Sequence, residues 1–241
     1  MKVPVHSCYI LHMRNYRETS LLLQVFSMIH GRVDLVAKGA KRRSNSRRFL
    51  FKPYQRLRLG WTIRGELGTL TQIEADAKMI VWKPRQIMSG FYINEIILRL
   101  LHKHEAHPDL FTAYDTVLAK LSRDYPEAAI IRYFEKRLLQ SLGYGLILDQ
   151  PMGAGGSIDV DAQYYYQHDS GPLLNPPDSG NYVAISGRAL IALHQETIDA
   201  NDEIVRSETK ALMRTVLGIY LGNKPLASRR LYSAYLSGYA G

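Results

Sequence analysis

The sequence predicts an α+β protein with two domains, a small N-terminal β-barrel over residues 1–80 and a mainly helical domain over residues 81–241. Three observations carry this prediction. Before residue 80, apolar and polar residues alternate in short segments that are separated by glycines. After Pro84 the apolar residues recur mostly at every fourth position, which indicates helix. Residues 150–182 are rich in glycine, proline, serine and aspartate, which predicts a loop-rich insertion with room for one small hairpin.

Five segments carry the strand pattern of the first domain. In one of them Val33, Leu35 and Ala37 share a face of the predicted strand. The segments are Cys8–Met13, Ser20–Phe26, Arg32–Ala37, Tyr54–Leu59 and Glu66–Ile73, punctuated by Gly31, Gly39, Gly60, Gly65 and Gly68. Five short strands with glycine turns are typical of a small barrel, and an SH3-like barrel fits the count as well.

The second domain carries a helical pattern before and after the insertion. The first helix is expected from Pro84, which suits a first helical turn, and its predicted apolar face consists of Ile87, Phe91, Tyr92, Ile96 and Leu100. Further helices are predicted over Pro108–Leu121, Pro126–Leu142, Gly187–Gln195 and Ile204–Tyr220, with a short one at the C-terminus.

Positive charge is concentrated in the first domain. Residues 1–80 contain 15 Lys or Arg and five Asp or Glu, a net charge of +10, whereas residues 81–241 have a net charge of −1. Such asymmetry between two segments of one chain indicates a polyanionic partner more strongly than a uniformly high isoelectric point would.

The segment Lys38–Arg58 is the densest part of this positive charge. It contains nine Lys or Arg, and no acid occurs between Leu35 and Gly65. We predict an exposed basic loop that neutralises phosphates, with Phe49, Phe51 and Tyr54 available to stack on unpaired bases. The predicted nucleic-acid-binding residues are Arg32, Lys38, Lys41, Arg42, Arg43, Arg47, Arg48 and Arg56. The alternatives are a solvated charged surface with core aromatics and an anionic membrane surface. The second is disfavoured because no amphipathic apolar face adjoins the loop.

No pattern in the sequence indicates covalent chemistry. His102, His104, His107 and Glu105 suggest a metal site only weakly, because His102 and His104 lie about 200° apart on a helix. The glycine-rich run at residues 153–156 lacks the Lys-Ser/Thr pair of a phosphate loop. A nuclease would need clustered acids, and Glu66, Glu74 and Asp76 are too sparse. We expect a protein that is not an enzyme and that uses no cofactor or metal.

The expected location is the cytoplasm. The N-terminus has no apolar core of a signal peptide, and no apolar run reaches the roughly 18 residues of a membrane span. The single cysteine, Cys8, excludes an intrachain disulfide and reads as a small hydrophobic residue of a strand.

The predicted helix over Pro126–Leu142 allows two interpretations. Arg132, Lys136 and Arg137 flank an apolar stripe that includes Phe134. The stripe belongs either to an ordinary amphipathic helix or to a groove with a cationic rim, which suits an acidic peptide that ends in an apolar residue.

Four segments, taken together, resemble the RecO family of bacterial recombination mediators. They are RETSLLLQVFSMIHGRVDLVAKGAKR, SGFYINEIILRLL, RYFEKRLLQSLGYGL and YLGNKPLASRRLY, in the family's order and spacing from about residue 8 to residue 235. The chain most resembles the proteobacterial branch.

The resemblance implies an OB-fold barrel followed by a helical domain, without enzymatic activity and in association with the bacterial nucleoid. It implies binding of single- and double-stranded DNA, annealing of complementary strands, and action on DNA coated by the single-stranded-DNA-binding protein SSB. The implied partners are RecR, the acidic C-terminal tail of SSB and, indirectly, RecA, which the family helps to load. Arg132 resembles a basic position of the helix that receives the SSB tail, so Arg132, Phe134 and Arg137 are the expected tail-binding residues.

One departure from the family concerns zinc. Many members carry a four-cysteine zinc site after the LGYGL motif, whereas Leu148–Pro177 contains no cysteine here. We therefore expect packing, with Tyr164–Tyr166 contributing, to replace the metal. The alternative function is an RNA-binding or ribosome-associated scaffold that uses the same barrel.

Overall fold

The computed structural model describes residues 1–65, 67–77, 80–153 and 155–238, without the side chains of Arg64 and Leu236. Two compact units are present. The first consists of Met1–Ser122 and the segment from Leu226 onward, and the second of Arg123–Pro225. The domain boundary predicted after residue 80 lies inside the first unit, because that unit contains helices as well as strands. The domain boundary at residue 80 therefore remains a prediction.

Five strands of the first unit close into a barrel. They are β1 (Lys2–Tyr16), β2 (Ser20–Ser27), β3 (Gly31–Ala37), β4 (Arg56–Arg64) and β5 (Leu67–Ala75). The order around the barrel is β1-β2-β3-β5-β4, with β3 and β5 parallel and the other pairs antiparallel. This is the OB-fold arrangement, so the predicted barrel is confirmed. The predicted fifth segment began at Glu66, which lies outside the described residues.

The barrel interior follows the predicted alternation. Val33, Leu35 and Ala37 all point into the core, where they join Trp61 and Leu59. Burial raises the pKa of the Cys8 thiol in the same core to about 12, so Cys8 packs as a small hydrophobic residue and is not poised as a thiolate.

The described part of the chain forms six helices and a second, small sheet. The helices are α1 (Pro84–Leu100), α2 (Pro108–Ser122), α3 (Glu127–Ser141), α4 (Gly187–Gln195), α5 (Glu203–Leu221) and α6 (Ala227–Gly238). The sheet consists of β6 (Gln163–Gln167), β7 (Gly171–Leu173) and β8 (Tyr182–Ser186), in the order β7-β6-β8. No helix in these described ranges has the length and apolar character that crossing a membrane requires.

Helix α2 covers an aromatic face on the outside of the barrel. Tyr9 of β1 and Phe26 of β2 are cross-strand partners, and both rings contact Phe111 and Tyr114 of α2 at centroid distances of 4.9–6.0 Å. All four side chains are buried. Such tilted and edge-to-face contacts add to the stabilisation that comes from burial itself, so α2 and the barrel pack as one body within the first unit.

The predicted buried face of α1 was partly wrong. Ile96 is buried as expected, but Phe91 is exposed, and the buried face also contains the polar residue Asn94. The Asn94 side chain donates a hydrogen bond to the Leu11 carbonyl of β1 (2.7 Å) and accepts one from the Tyr114 hydroxyl (2.6 Å). Because a buried amide that satisfies two partners is stabilising, this contact determines which side of α1 faces the barrel.

The segment between α1 and α2 lies along β3. The backbone N–H of His104 donates to the Arg32 carbonyl (3.0 Å), and Lys103 forms an ion pair with Asp34 (2.6 Å). Gly31 allows the close approach: it has a φ of +62°, and a Cβ at this position would lie 1.8 Å from the carbonyl oxygen of Glu105. Any larger residue at position 31 would push this segment away from the strand.

In the second unit, residues 150–182 contain the predicted small hairpin, formed by β6 and β7, among turns and loops. β8, which begins at Tyr182, adds a third strand that was not predicted, so β6 is the central one. Tyr164 and Tyr166 of β6 are both buried, as expected, and the Tyr164 hydroxyl accepts a hydrogen bond from the backbone N–H of Asp159 (2.9 Å).

We predict that Gly31→Ala is much more destabilising than Gly65→Ala. Gly65 also has a positive φ, of +76°, but nothing lies within 4 Å of an added Cβ. Gly65→Ala should therefore reduce the free energy of unfolding by about 1 kcal/mol. Gly31→Ala adds a steric overlap to a similar strain and should cost about 3 kcal/mol or more. Urea denaturation of both variants tests this. Equal losses of unfolding free energy would contradict the close contact between Gly31 of β3 and Glu105.

We also predict that Glu95 stabilises the start of α6 in a pH-dependent way. Its carboxylate accepts hydrogen bonds from the backbone N–H groups of Ala227 and Ser228 and from the Ser228 hydroxyl, at 2.6–2.8 Å. Burial acts to raise the pKa of Glu95, but the hydrogen bonds from Ser228 and Ala227 lower it below its ordinary value. Glu95→Ala should reduce the free energy of unfolding by about 1–2 kcal/mol at neutral pH.

The sign of this pH dependence follows from the lowered pKa. The contribution of Glu95 is complete above the ordinary glutamate pKa and decreases as the pH falls through the lowered value in the folded protein. The stability difference between the original protein and Glu95→Ala should therefore shrink in acid. Glu18→Ala, which removes an exposed carboxylate of the same unit, is the matched control and should show little difference at either pH.

Candidate nucleic-acid interface

The basic loop, which we define as Lys38–Phe51, is attached to the barrel at both ends. Ala40 near its start and Leu50 and Phe51 at its end are buried members of the barrel core. The backbone N–H of Lys41 donates to the Thr19 carbonyl (3.0 Å), which holds the loop beside the turn between β1 and β2. The loop is therefore part of the barrel surface and not a free tether.

Between these attachment points the loop folds into consecutive turns. The N–H of Arg42 donates to the Gly39 carbonyl, that of Asn45 to Arg42, and that of Arg48 to Asn45, at 3.0–3.2 Å. The Asn45 side chain accepts from the N–H of Arg47 (3.0 Å), a local contact that favours turns over helix or strand. A short 3₁₀ turn, Arg48–Leu50, completes the loop.

The turns leave six cationic side chains exposed. In the part of the chain that the structure describes, no carboxylate lies within ion-pair distance of any of them. They are the predicted residues Lys38, Lys41, Arg42, Arg43, Arg47 and Arg48. Without neighbouring carboxylates, their charge is available to an external polyanion.

The other two predicted cations have partners within the first unit. Arg56 forms ion pairs with Asp76 and with Asp115 of α2, each at 2.9 Å. The Arg32 guanidinium donates to the Leu98 carbonyl at the end of α1, and its burial lowers its pKa. Contact of Arg32 or Arg56 with a phosphate would have to compete with these bonds, which the sequence pattern did not show.

The three predicted stacking residues also differ in whether their side chains are exposed. Phe49 is 50% exposed, whereas Phe51 and Tyr54 are buried. The prediction that all three are available to unpaired bases was therefore wrong for Phe51, which fills the barrel core, and for Tyr54, which packs against α1.

The expected SSB-tail residues of α3 are mostly internal to the second unit. Arg132 and Glu135 form a buried ion pair with N–O distances of 2.5 and 2.6 Å, and Phe134 is fully buried. Arg137 keeps a partly exposed side chain and pairs with Glu196 at 3.0 Å. These positions favour the interpretation of α3 as an amphipathic helix, and of the three expected tail-binding residues only Arg137 has a partly exposed side chain.

No metal centre is evident among the described residues, since no three His, Cys, Asp or Glu side chains lie close enough together to hold an ion. His102, His104 and His107 follow α1 in an irregular segment, and His107 lies 3.8 Å from Glu105. The family's zinc site does not fit this chain, because the insertion offers no thiolate and the buried rings of Tyr164 and Tyr166 fill its core.

Comparison with known proteins agrees with this architecture. Residues 1–77 match the family model for the recombination protein O N terminal domain, and residues 84–230 match that for the C terminal domain. DNA repair protein RecO of Nitrosococcus oceani is 39% identical over 231 residues, which cover 96% of this chain and 93% of the relative.

Other relatives carry the same name. DNA repair protein RecO of Alkalilimnicola ehrlichii is 38% identical over 96% of this chain and 91% of its own length. That of Cupriavidus metallidurans is 36% identical over 96% of this chain and 77% of its own length. With both family models matched in order and nearly the whole chain aligned to these relatives, the chain belongs to the RecO family.

Proposed function

We propose that this protein acts in DNA repair and recombination by binding single- and double-stranded DNA through its basic loop. The observation that carries the proposal is the set of six exposed cations, which pair with no carboxylate of the described ranges, on the OB-fold barrel of a RecO family member. The relatives' shared name, DNA repair protein RecO, supports the same role.

Binding of this kind depends on charge and not on base sequence. Lysine and arginine on the loop displace counterions from phosphates, and phosphate contacts contain no information about the bases. The protein is therefore expected to bind most DNA sequences with similar affinity. Both strand forms present phosphates, so the loop accepts either.

Strand annealing follows from the same surface. Two complementary strands repel each other through their phosphates, and a cationic surface that binds both reduces this repulsion. Because the loop contacts phosphates, the base edges remain free to pair. No bond is made or broken in this process, so the proposed activity is not enzymatic and needs no cofactor.

The proposed protein partners are those that the family resemblance implies. The protein would act in the bacterial cytoplasm with RecR, bind the SSB tail, and so help to load RecA onto SSB-coated strands. An acidic tail would meet Arg137 at the surface of α3, and it would reach Arg132 only if the buried pair with Glu135 opened.

We predict that replacing Arg42, Arg43, Arg47 and Arg48 with glutamine removes most of the salt dependence of DNA binding. Six phosphate contacts give a slope of roughly −4 in a plot of log affinity against log salt for single strands, from about −0.7 per contact. The fourfold variant should bind more weakly and with a slope of about −1. Fluorescence anisotropy with a labelled oligonucleotide over a salt series measures both quantities.

A matched control removes four cations elsewhere. Arg206, Lys210, Arg214 and Lys224 are exposed residues of the second unit, and their replacement by glutamine changes the net charge by the same amount. That variant should keep nearly the original slope. Equal slopes for the loop variant and the original protein would contradict the proposal. Competition with RNA of equal length, and recovery of SSB or RecR in pull-downs, separate the proposed function from an RNA-binding scaffold.

A further inference from the structure

We propose that Trp82 and Phe91 form a stacking surface for the bases of single-stranded DNA, next to the basic loop. This inference rests on the proposed DNA-binding function and adds a second element to it. The basic loop contacts phosphates and accepts both strand forms, whereas the stacking surface would recognise unpaired bases.

Tyr54 connects the basic loop to this surface. The chain leaves the loop at Phe51 and reaches Tyr54, which has a φ of +63°. The Tyr54 ring lies against α1 at Gly90, where an added Cβ would be 2.6 Å from the ring, and its hydroxyl donates to the Ile87 carbonyl (3.4 Å). The chain three residues beyond the basic loop is thus fixed to the first half of α1.

The rings of Trp82 and Phe91 both contact the Tyr54 ring. The Trp82 ring centroid is 5.5 Å from that of Tyr54, and the Phe91 centroid is 6.1 Å from it, both edge-on. Tyr54 is buried, but Phe91 is 38% exposed and Trp82 is partly exposed. The neighbouring Val81 is 93% exposed, so this part of the first unit presents clustered apolar side chains to solvent.

The charges around these rings favour an anionic occupant. No acid occurs between Ala77 and Asn94, and α1 has no acid in its first turn. Lys83 and Lys52, which flank the aromatic group in sequence, are both exposed. A site for an apolar protein segment would not need flanking basic residues without acids in the sequence, whereas a nucleic acid strand brings both phosphates and flat aromatic bases.

Stacking requires bases that are not already stacked in a duplex. A ring on the protein surface contributes binding energy for single strands irrespective of sequence, because every base has a π-face. The surface therefore adds selectivity for unpaired DNA to a loop that has none. It also gives a role to Phe91, which α1 exposes although the sequence pattern placed it on the apolar face.

Intrinsic fluorescence tests the proposal directly. The chain has two tryptophans, and Trp61 is buried in the barrel core. Binding of oligo(dT) should quench the emission of the original protein, and this quenching should be lost in Trp82→Phe. An abasic strand of equal length, which offers phosphates without bases, should leave the emission nearly unchanged.

Affinity measurements give the second test. Trp82→Ala and Phe91→Ala should each weaken binding of single-stranded DNA by about 5- to 100-fold, while the salt slope and duplex binding stay as in the original protein. Trp82→Phe keeps a ring and should restore most of the affinity. Tyr182→Ala, which removes a partly exposed ring of the second unit, is the control and should bind normally.

The outcomes separate this inference from the proposed function. Normal single-strand binding by both alanine variants would overturn the stacking surface and leave the basic loop intact. Equal quenching by abasic DNA would also overturn it. So would alanine variants whose sedimentation coefficient changes while their DNA binding does not. Failure of the original protein to bind any DNA would instead remove the proposed function. If Trp82→Ala does not fold, Phe91→Ala and the quenching of the original protein still decide.

Discussion

Attachment of the basic loop to the barrel core is the constraint on which the rest of the interface depends. Six like charges within eleven residues repel one another, and such a run by itself would be extended and disordered. Burial of Leu50 and Phe51, at about 1.5–3 kcal/mol for each side chain, opposes this repulsion at one end, and buried Ala40 fixes the other. The turns around Asn45 then display the cations on a defined surface.

The same constraint distinguishes structural cations from available ones. Arg56 joins the barrel to α2 through two carboxylates, Arg32 satisfies the last turn of α1, and Arg132 forms a buried pair with Glu135. Removing Arg132 would leave the buried Glu135 carboxylate without its partner, and removing Arg32 or Arg56 would break contacts within the first unit, so the first role of these three cations is in folding. Among the residues that the structure describes, no carboxylate pairs with the loop cations, so the excess positive charge of the first third of the sequence lies at the protein surface.

Local patterns predicted the barrel, the helices and the exposed loop cations, because each depends on periodicity or on composition within a few residues. Local patterns failed where contacts with residues distant in sequence determine which side chains are buried. Nothing near Asn94 in sequence shows that it binds Leu11 and Tyr114, so the face of α1 and the exposure of Phe91 were misassigned. Likewise, the burial of Tyr54 depends on its contact with Gly90. The Arg32 and Arg56 side chains are held by Leu98 and Asp115, which are distant in sequence.

The central claim is that one loop of the barrel holds the DNA phosphates. Hydrogen–deuterium exchange with and without an oligonucleotide tests it most directly, because it reports the contacted backbone without any substitution. The account predicts slower exchange of the amides over residues 39–50 when single- or double-stranded DNA is bound, with α5 unchanged. Protection of α5 with none in the basic loop, at a DNA concentration that saturates the protein, would contradict it.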